Sequence, residues 1–240
     1  MATALALNMG CVLERNDARS SNPEGENSGV HHNVLTDEEV ADGWKLLFDG
    51  ETTNGWRGYN KSSFPQAGWV VRDGLLVITD TDYEGGDLIT EEMYENFILK
   101  LDWMIPEGNG NSGIFFHVLE QPDKEIYWSA PEIQIISPRS QGRNRAGALY
   151  DLVPADPQND KPIGEWNEVK LVVDNPHIAV WQNGEKVVEI ERWTQEWFDL
   201  VRESKFECHP EFGNLRKGQI GLQDHGDHVK FRNIKVKVLD

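Results

Sequence analysis

The chain has 240 residues and a formal net charge of −18, because 41 acidic side chains outnumber 23 basic ones. This length suits one large all-β domain. The negative field repels phosphate backbones and anionic lipid headgroups, so we expect neither nucleic-acid binding nor binding to a membrane surface. The two cysteines, Cys11 and Cys208, are too few for a disulfide framework.

The first 33 residues differ from the rest of the chain. A short apolar run, residues 2–10, ends at Cys11 and is followed by a polar stretch, residues 14–33. This order is typical of bacterial lipoprotein signals, although the basic opening of an export signal is missing. We expect an exported protein, periplasmic or in the outer membrane, with a lipid anchor at Cys11. The alternative is a disordered N-terminus.

From residue 34 onward the pattern predicts a single β-sandwich domain that extends to residue 240. A short helix is expected after Thr36, which has capping-box spacing with Glu39. A second helix is expected over Trp193–Val201, capped by Thr194. No segment has the length of a transmembrane helix.

Between these helices, short β-type runs alternate with turn residues. Asp73-Gly74, Asn183-Gly184 and Gly226-Asp227 indicate tight hairpins. The runs include Trp44–Phe48, Trp69–Arg72, Leu75–Thr79, Phe97–Ile105, Ile114–Val118, Glu132–Ile136, Glu168–Val173, Ile178–Gln182, Lys186–Ile190, Gln219–His225 and Val229–Val236. Because no strand–helix alternation supports a parallel sheet, we predict an all-β fold, an antiparallel two-sheet β-sandwich or jelly roll.

Period-two alternation selects the side chains that face away from the core. With Ile114, Phe116 and Val118 inward, Phe115 and His117 point outward. The same parity turns Glu132 and Gln134 outward in one strand, and Gln223 and His225 outward in another. If these strands are neighbours, their acid, imidazole and amide groups form an acid/base constellation. For any single residue, an ordinary polar surface is the alternative.

Four further residues are candidates for substrate contact. Asn111 lies in a glycine-rich segment where the backbone can approach a ligand. Arg145 belongs to a basic loop and could reach over the groove. Trp128 lies in a loop and could stack on a sugar ring. Asp151 closes the segment Arg145–Asp151. A divalent metal ion is possible as well, if Glu132, His117 and His225 converge on it.

Taken together, nine segments resemble the 3-keto-disaccharide hydrolase family over residues 43–240. They are Gly43–Gly50, Gly55-Trp56, Gly110–His117, Glu132–Gln134, Arg145–Asp151, Gly164–Glu168, Trp181–Gly184, Ser204–Phe206 and Gly218–Val236. The resemblance implies a concanavalin-like β-sandwich of the lectin and glucanase type, export, and a small carbohydrate substrate oxidised at C3 of the sugar. It places site residues at the matched positions Glu132, Gln134, His117, Gln223 and His225. Val180 stands where many members carry a histidine.

The chemistry follows from the ketone itself. A C3 carbonyl acidifies the proton on C2, so a base can remove that proton and expel the C1 substituent, after which water adds to the enone. This route does not need the two carboxylates of ordinary glycosidases, and the strand of Glu132 carries no second acid. We therefore expect an enzyme with Glu132 or His225 as base. The alternatives are a non-catalytic carbohydrate-binding module and an ordinary glycosidase that pairs Glu132 with Asp151 or Asp224.

Overall fold

A computed structural model describes residues 32–79 and 83–240. The apolar start, Cys11 and nearly all of the polar linker lie outside the described residues. Export, the lipid anchor and the domain boundary near residue 33 therefore stay predictions. Within the described part of the chain, no helix is both long and apolar enough to cross a membrane.

Both predicted helices are present. Helix α1 spans Asp37–Ala41, and Thr36 forms the predicted capping box with Glu39. Helix α2 spans Gln195–Glu203, where the Thr194 hydroxyl accepts a hydrogen bond from the Trp197 backbone N–H. A 3₁₀ turn spans Ile126–Trp128.

The described residues also form thirteen strands. They are β1 (Trp44–Leu46), β2 (Trp56–Gly58), β3 (Trp69–Arg72), β4 (Leu75–Ile78), β5 (Leu88–Thr90), β6 (Phe97–Met104), β7 (Asn111–Val118), β8 (Glu132–Ile136), β9 (Asn167–Asp174), β10 (His177–Gln182), β11 (Glu185–Glu191), β12 (Gln219–Leu222) and β13 (Val229–Val238). Strands β2 and β5 were not predicted, because three residues are too few to show an alternating pattern.

The strands form two antiparallel sheets. The large sheet has eight strands in the order β11-β10-β9-β6-β13-β4-β3, with β1 paired to β13. The small sheet has five strands in the order β2-β5-β12-β7-β8. The predicted all-β, antiparallel two-sheet sandwich is confirmed.

The main core lies between the two sheets. Strand β6 alternates buried and half-buried residues along its whole length, with Phe97, Leu99, Leu101 and Trp103 buried. These side chains belong to the same cluster as the inward residues of β7 and β8. A second, smaller cluster covers part of the outer face of the small sheet; its buried members are Ile89, Phe115, Val118, Ile126 and Ala130.

A bulge in β7 changes the predicted parity at the end of that strand. The register with β12 shifts between Gln219 and Gly221, and His117 has a positive φ of 52°. As a result Val118 joins Phe115 in the outer cluster, although the alternation placed it with Ile114. Gly218 is needed beside the bulge, since a Cβ there would lie 2.5 Å from the His117 carbonyl carbon.

Candidate functional site

The outer face of the small sheet carries two aligned rows of side chains. Gly221 pairs with Phe115, and Phe115 pairs with Glu132, so these residues share one face. In the next row the Gln223 backbone N–H donates to the Gly113 carbonyl, and Gly113 pairs with Gln134. Paired residues of an antiparallel sheet point the same way. The register of the sheet therefore places Glu132, Gln134 and Gln223 on the outer face, as the alternation predicted.

Glu132 is the most enclosed carboxyl group on this face, with only 5% of its surface exposed. Its side chain lies across β7 above Gly113: a Cβ on that glycine would lie 2.3 Å from Glu132 Oε1. The pKa of Glu132 is raised to about 8, mainly by burial; the Lys205 ammonium opposes this shift and the charge of Asp87 contributes to it. A carboxyl group with this pKa exchanges protons readily near neutral pH.

Asp87 is a second titratable carboxyl group that the sequence analysis missed. It immediately precedes β5, and its Oδ1 accepts a hydrogen bond of 2.9 Å from the Asp224 backbone N–H. Burial raises the pKa of Asp87 to about 7, and the charges of Asp224 and Glu125 act in the same direction. The sequence did contain a feature that could have indicated this residue: Asp87 stands between the pair Gly85-Gly86 and the apolar residues Leu88 and Ile89.

Two amides lie beside the carboxyl groups. The Gln134 Nε2 group donates to Asn111 Oδ1 at 3.2 Å, and Asn111 shares the face of Gly113 and Glu132. Gln223 is half-buried at the end of β12. Asn111, Gln134 and Gln223 thus add hydrogen-bonding groups suited to sugar hydroxyls to the face that carries Glu132.

One wall of the site is formed by two loops, residues 119–131 and 204–212. Lys205 Nζ lies 4.3 Å from the Tyr150 ring centroid and 5.1 Å from that of Tyr127. The Lys205 backbone N–H donates to Asp151 Oδ2 at 2.9 Å. Asp151, expected to contact substrate, therefore holds the backbone of a cationic residue whose charge reaches Glu132. Sequence analysis singled out neither Lys205 nor Tyr127 as a site residue.

His117 does not reach this site. Only 1% of it is exposed, its ring packs edge-on against Phe97 and Phe116, and its nitrogens lie 2.8 Å from the Glu95 carbonyl and 3.1 Å from the Leu215 carbonyl. Burial lowers the pKa of His117 to about 4, with Arg192 contributing. The predicted outward orientation is wrong, because the bulge turns this residue towards the core.

Three other candidates have partners of their own. The Arg145 guanidinium forms an ion pair with Asp160 at 3.1 Å. His225 lies in the turn after β12, 3.4 Å from the Asp227 carboxylate and edge-on to Tyr83. Trp128 is stacked on His209, with a centroid separation of 3.9 Å.

The condition for a metal site at Glu132, His117 and His225 is not met, because His117 faces the core while Glu132 faces outward. Within residues 32–79 and 83–240, no group of three or more His, Cys, Asp or Glu side chains is arranged to hold a metal ion.

Asp224, expected as a possible acid partner for Glu132, is engaged by backbone groups. Its two oxygens accept hydrogen bonds from Gly86 N–H and Gly226 N–H, both at 3.0 Å. Burial raises the pKa of Asp224. Through its own N–H this residue holds Asp87 in place, so the carboxyl group that accompanies Glu132 on this face is Asp87.

Comparisons with known proteins agree with this fold. A 3-keto-disaccharide hydrolase of Bacteroides thetaiotaomicron is 41% identical over an alignment that covers 83% of this chain and 80% of the relative. A crystal structure from Parabacteroides distasonis, provisionally named a glycosyl hydrolase, is 31% identical with a TM-score of 0.80, covering 88% of this chain and 100% of that one. The carbohydrate-binding module CBM66 from Bacillus subtilis has the same fold at 14% identity and a TM-score of 0.50, over 76% of this chain and 95% of the module.

A family model described as the 3-keto-alpha-glucoside-1,2-lyase-like domain matches residues 43–237. These residues include both sheets, both carboxyl groups and Lys205. The chain belongs to the 3-keto-alpha-glucoside-1,2-lyase-like domain family.

Proposed function

We propose that this protein is a carbohydrate-active enzyme that cleaves 3-keto-glycosides, including 3-keto-disaccharides, by elimination followed by hydration. The observation that carries the proposal is the presence of two carboxyl groups, Glu132 and Asp87, with pKa values raised to about 8 and about 7 on one face of the small sheet. The family and the name of the Bacteroides relative support the substrate class.

The reaction needs one base and one acid. The base takes the C2 proton, the C2–H electron pair forms the C1–C2 double bond, and the C1–O bond breaks as the acid protonates the leaving oxygen. In the second stage water adds at C1 and a proton returns to C2. The two groups exchange roles between the stages, so each pKa should lie near the working pH.

The Glu132 and Asp87 pair meets this requirement as a unit. The charge of Asp87 raises the pKa of Glu132, so the protonation state of Asp87 affects that of Glu132. Strands β5 and β8 are three strand spacings apart, which places the two backbones about 14 Å apart. The side chains then act from opposite sides of a sugar ring held between them.

Negative charge accumulates on the C3 oxygen when the C2 proton leaves. Lys205 supplies the nearest cation to Glu132, and Tyr127 lies beside it with a hydroxyl donor. The amides of Gln134, Asn111 and Gln223 orient the remaining hydroxyl groups. Stabilisation of developing charge by preorganised donors is usually the largest contribution to such catalysis.

The decisive experiment offers the purified protein a 3-keto-disaccharide in D₂O, with divalent metal ions supplied. We expect loss of the glycosidic bond and one deuterium at C2 of the product. Cleavage without deuterium at C2 would indicate direct displacement, and absence of cleavage would refute the proposal.

An ordinary glycosidase is the second candidate, because Glu132 now has a carboxyl partner in Asp87. That mechanism acts on the sugar without the ketone. The same disaccharide with C3 unoxidised is therefore the matched control. We expect no cleavage of it, whereas cleavage at a comparable rate would favour the glycosidase.

A further inference from the structure

The segment Gly85–Asp87 ends in one of the two carboxyl groups assigned to the reaction, and two side chains from earlier in the chain hold its backbone. The Gly86 carbonyl accepts a hydrogen bond of 2.8 Å from Trp69 Nε1, in β3. The Gly85 carbonyl accepts one of 2.6 Å from Lys61 Nζ, in the loop after β2. Both carbonyl groups that precede the carboxyl-bearing residue are therefore fixed by side chains distant from it in sequence.

Asp224 holds the same segment through both its backbone and its side chain. Its N–H donates to Asp87 Oδ1 at 2.9 Å, and its Oδ2 accepts from the Gly86 N–H at 3.0 Å. Gly85 permits this approach, because a Cβ there would lie 2.9 Å from Asp224 Oδ2. A displacement of the Asp87 carboxyl group or of its backbone therefore breaks at least one of these contacts.

The two charged residues of this arrangement have opposite signs. Lys61 is exposed, whereas Asp224 is buried. Burial raises the pKa of Asp87 to about 7; the Asp224 N–H lowers it, the charges of Asp224 and Glu125 raise it, and the Lys61 ammonium lowers it. The Lys61 charge therefore favours the ionised Asp87 carboxyl group, and the Asp224 charge favours the protonated one.

Four further titratable groups lie within electrostatic range of Asp87. They are Tyr59 in the loop after β2, Glu125 and Tyr127 in the loop between β7 and β8, and Glu132 in β8. Among the described residues, none of these four side chains is hydrogen-bonded to the segment that ends at Asp87, whereas those of Lys61 and Asp224 are. Lys61 and Asp224 therefore act on Asp87 through contact and charge together.

We propose that Lys61 and Asp224 are positioning residues for the reaction, which together hold the Asp87 carboxyl group where proton transfer requires it. The inference rests on the proposed function and deepens it, because both residues act through Asp87. Misplacement of a reacting group by about 1 Å can lower a rate roughly 100-fold, so the contacts that fix its backbone contribute to turnover.

The first test observes the Asp87 carboxyl group directly, by carbon-13 NMR titration of protein labelled at the aspartate carboxyl carbons. The Asp87 signal is the one that Asp87→Asn removes. We expect Lys61→Met to raise its pKa and Asp224→Asn to lower it, each by about half a unit, because one removes a positive charge and the other a negative charge. Asp227→Asn is the matched control: that carboxylate lies in the same turn as Asp224, 3.4 Å from His225, and its loss should leave the signal unchanged.

The second test measures turnover of a 3-keto-disaccharide. Lys61→Met and Asp224→Asn should each lower kcat roughly 10-fold with little change in KM, as expected for residues that act through a catalytic carboxyl group. Lys61→Arg keeps the charge and a donor, so it should restore most of the rate. Lys45→Met, which removes an exposed lysine of β1, is the matched control and should leave kcat unchanged.

Shifts of the Asp87 pKa in the same direction, no shift in either variant, or full activity of both variants would each overturn the inference and leave the proposed function in place. If the wild type cleaves no 3-keto-disaccharide, the proposed function fails, and the positioning role fails with it whatever the NMR titration shows. Should Asp224→Asn fail to fold, Lys61→Met decides, because Lys61 is exposed and methionine keeps an aliphatic stem. A raised Asp87 pKa with a lowered kcat then supports the inference, and the absence of either change overturns it.

Discussion

At the scale of single residues, two carboxyl groups on a sheet face differ from ordinary surface acids. Glu132 is 5% exposed, and its nearest opposing charge is an exposed lysine. Asp87 is half-buried and anchored by one backbone N–H. Their pKa values are raised by burial, so both groups are costly to keep ionised. Such a cost is tolerated where proton transfer is required.

Replacing either carboxyl group by its amide should leave the fold intact and abolish turnover. We expect Glu132→Gln and Asp87→Asn each to lower kcat on a 3-keto-disaccharide by roughly 100-fold or more, with little change in substrate affinity. A 4-nitrophenyl 3-keto-glucoside then separates their roles, because its leaving group needs no acid. The variant that lacks the acid keeps activity on it, and the variant that lacks the base does not. Full activity of both variants on both substrates would contradict the assignment.

Gly113 controls the position of the Glu132 carboxyl group. Because a Cβ at this position would lie 2.3 Å from Oε1, Gly113→Ala should displace the carboxyl and lower kcat by about 100-fold, as misplacement of a catalytic group does. A double-mutant cycle with Glu132→Gln provides the control. If the glycine acts through the carboxyl, the second substitution adds almost nothing to the first. Additive losses would show that Gly113→Ala harms the site by another route.

At the scale of elements, the β7 bulge separates the outer site from an inner polar network. His117, at the bulge, contacts the buried guanidinium of Arg192, which also donates to the Leu215 carbonyl at 3.1 Å. Arg192 directly follows β11, so this network joins the large sheet to the end of β7 and to the segment before β12. The two loops that form a wall of the site, residues 119–131 and 204–212, are likewise joined, because His209 stacks on Tyr127 and Trp128.

His117 should therefore matter for stability and not for catalysis. We expect His117→Ala to lower the free energy of unfolding by about 2–4 kcal/mol, because buried hydrogen-bonding groups lose their partner and a cavity remains. Denaturant titration measures that loss, and kcat/KM on a 3-keto-disaccharide should stay within about threefold of the wild type. A selective loss of kcat without a loss of stability would restore His117 to the site.

At the scale of the whole molecule, stability should decline between pH 6.5 and 8. The pKa of Glu132 in the folded chain is raised from 4.5 to about 8. The protonated side chain therefore makes its full contribution to the free energy of unfolding below pH 4.5, and this contribution is lost as pH rises through 8. The pKa of Asp87 is raised in the same way, from 3.8 to about 7, so its contribution to stability is lost as pH rises through 7. His117 has a lowered pKa, from 6.5 to about 4, so the stability it contributes is lost only as pH falls below 6.5.

Chemical denaturation at several pH values tests this dependence. We expect the wild type to lose about 2 kcal/mol over this interval through Glu132, and Glu132→Gln to lose correspondingly less. An identical pH dependence in the two proteins would show that Glu132 titrates normally.

Much of the architecture could be read from the sequence. Capping at Thr36 and Thr194, the hairpin turns and the apolar alternation of long strands such as β6 are local properties of the chain. The outward direction of Glu132 and Gln134 also follows from alternation, because β8 has no bulge. These features depend on backbone geometry within a few residues, and residue type alone determines them.

Only the tertiary structure decided the rest. One inserted residue at the bulge in β7 reverses the alternation of side chains between the two faces of the sheet. His117 therefore faces the core, although the sequence pattern predicted that it would face outward. Asp87 and Lys205 lie outside the strands, where no periodicity indicates direction, and they reach Glu132 through sheet order and loop packing. The raised pKa of Asp87 and the contacts of Lys205 arise from packing among residues distant in sequence, a property that no local pattern encodes.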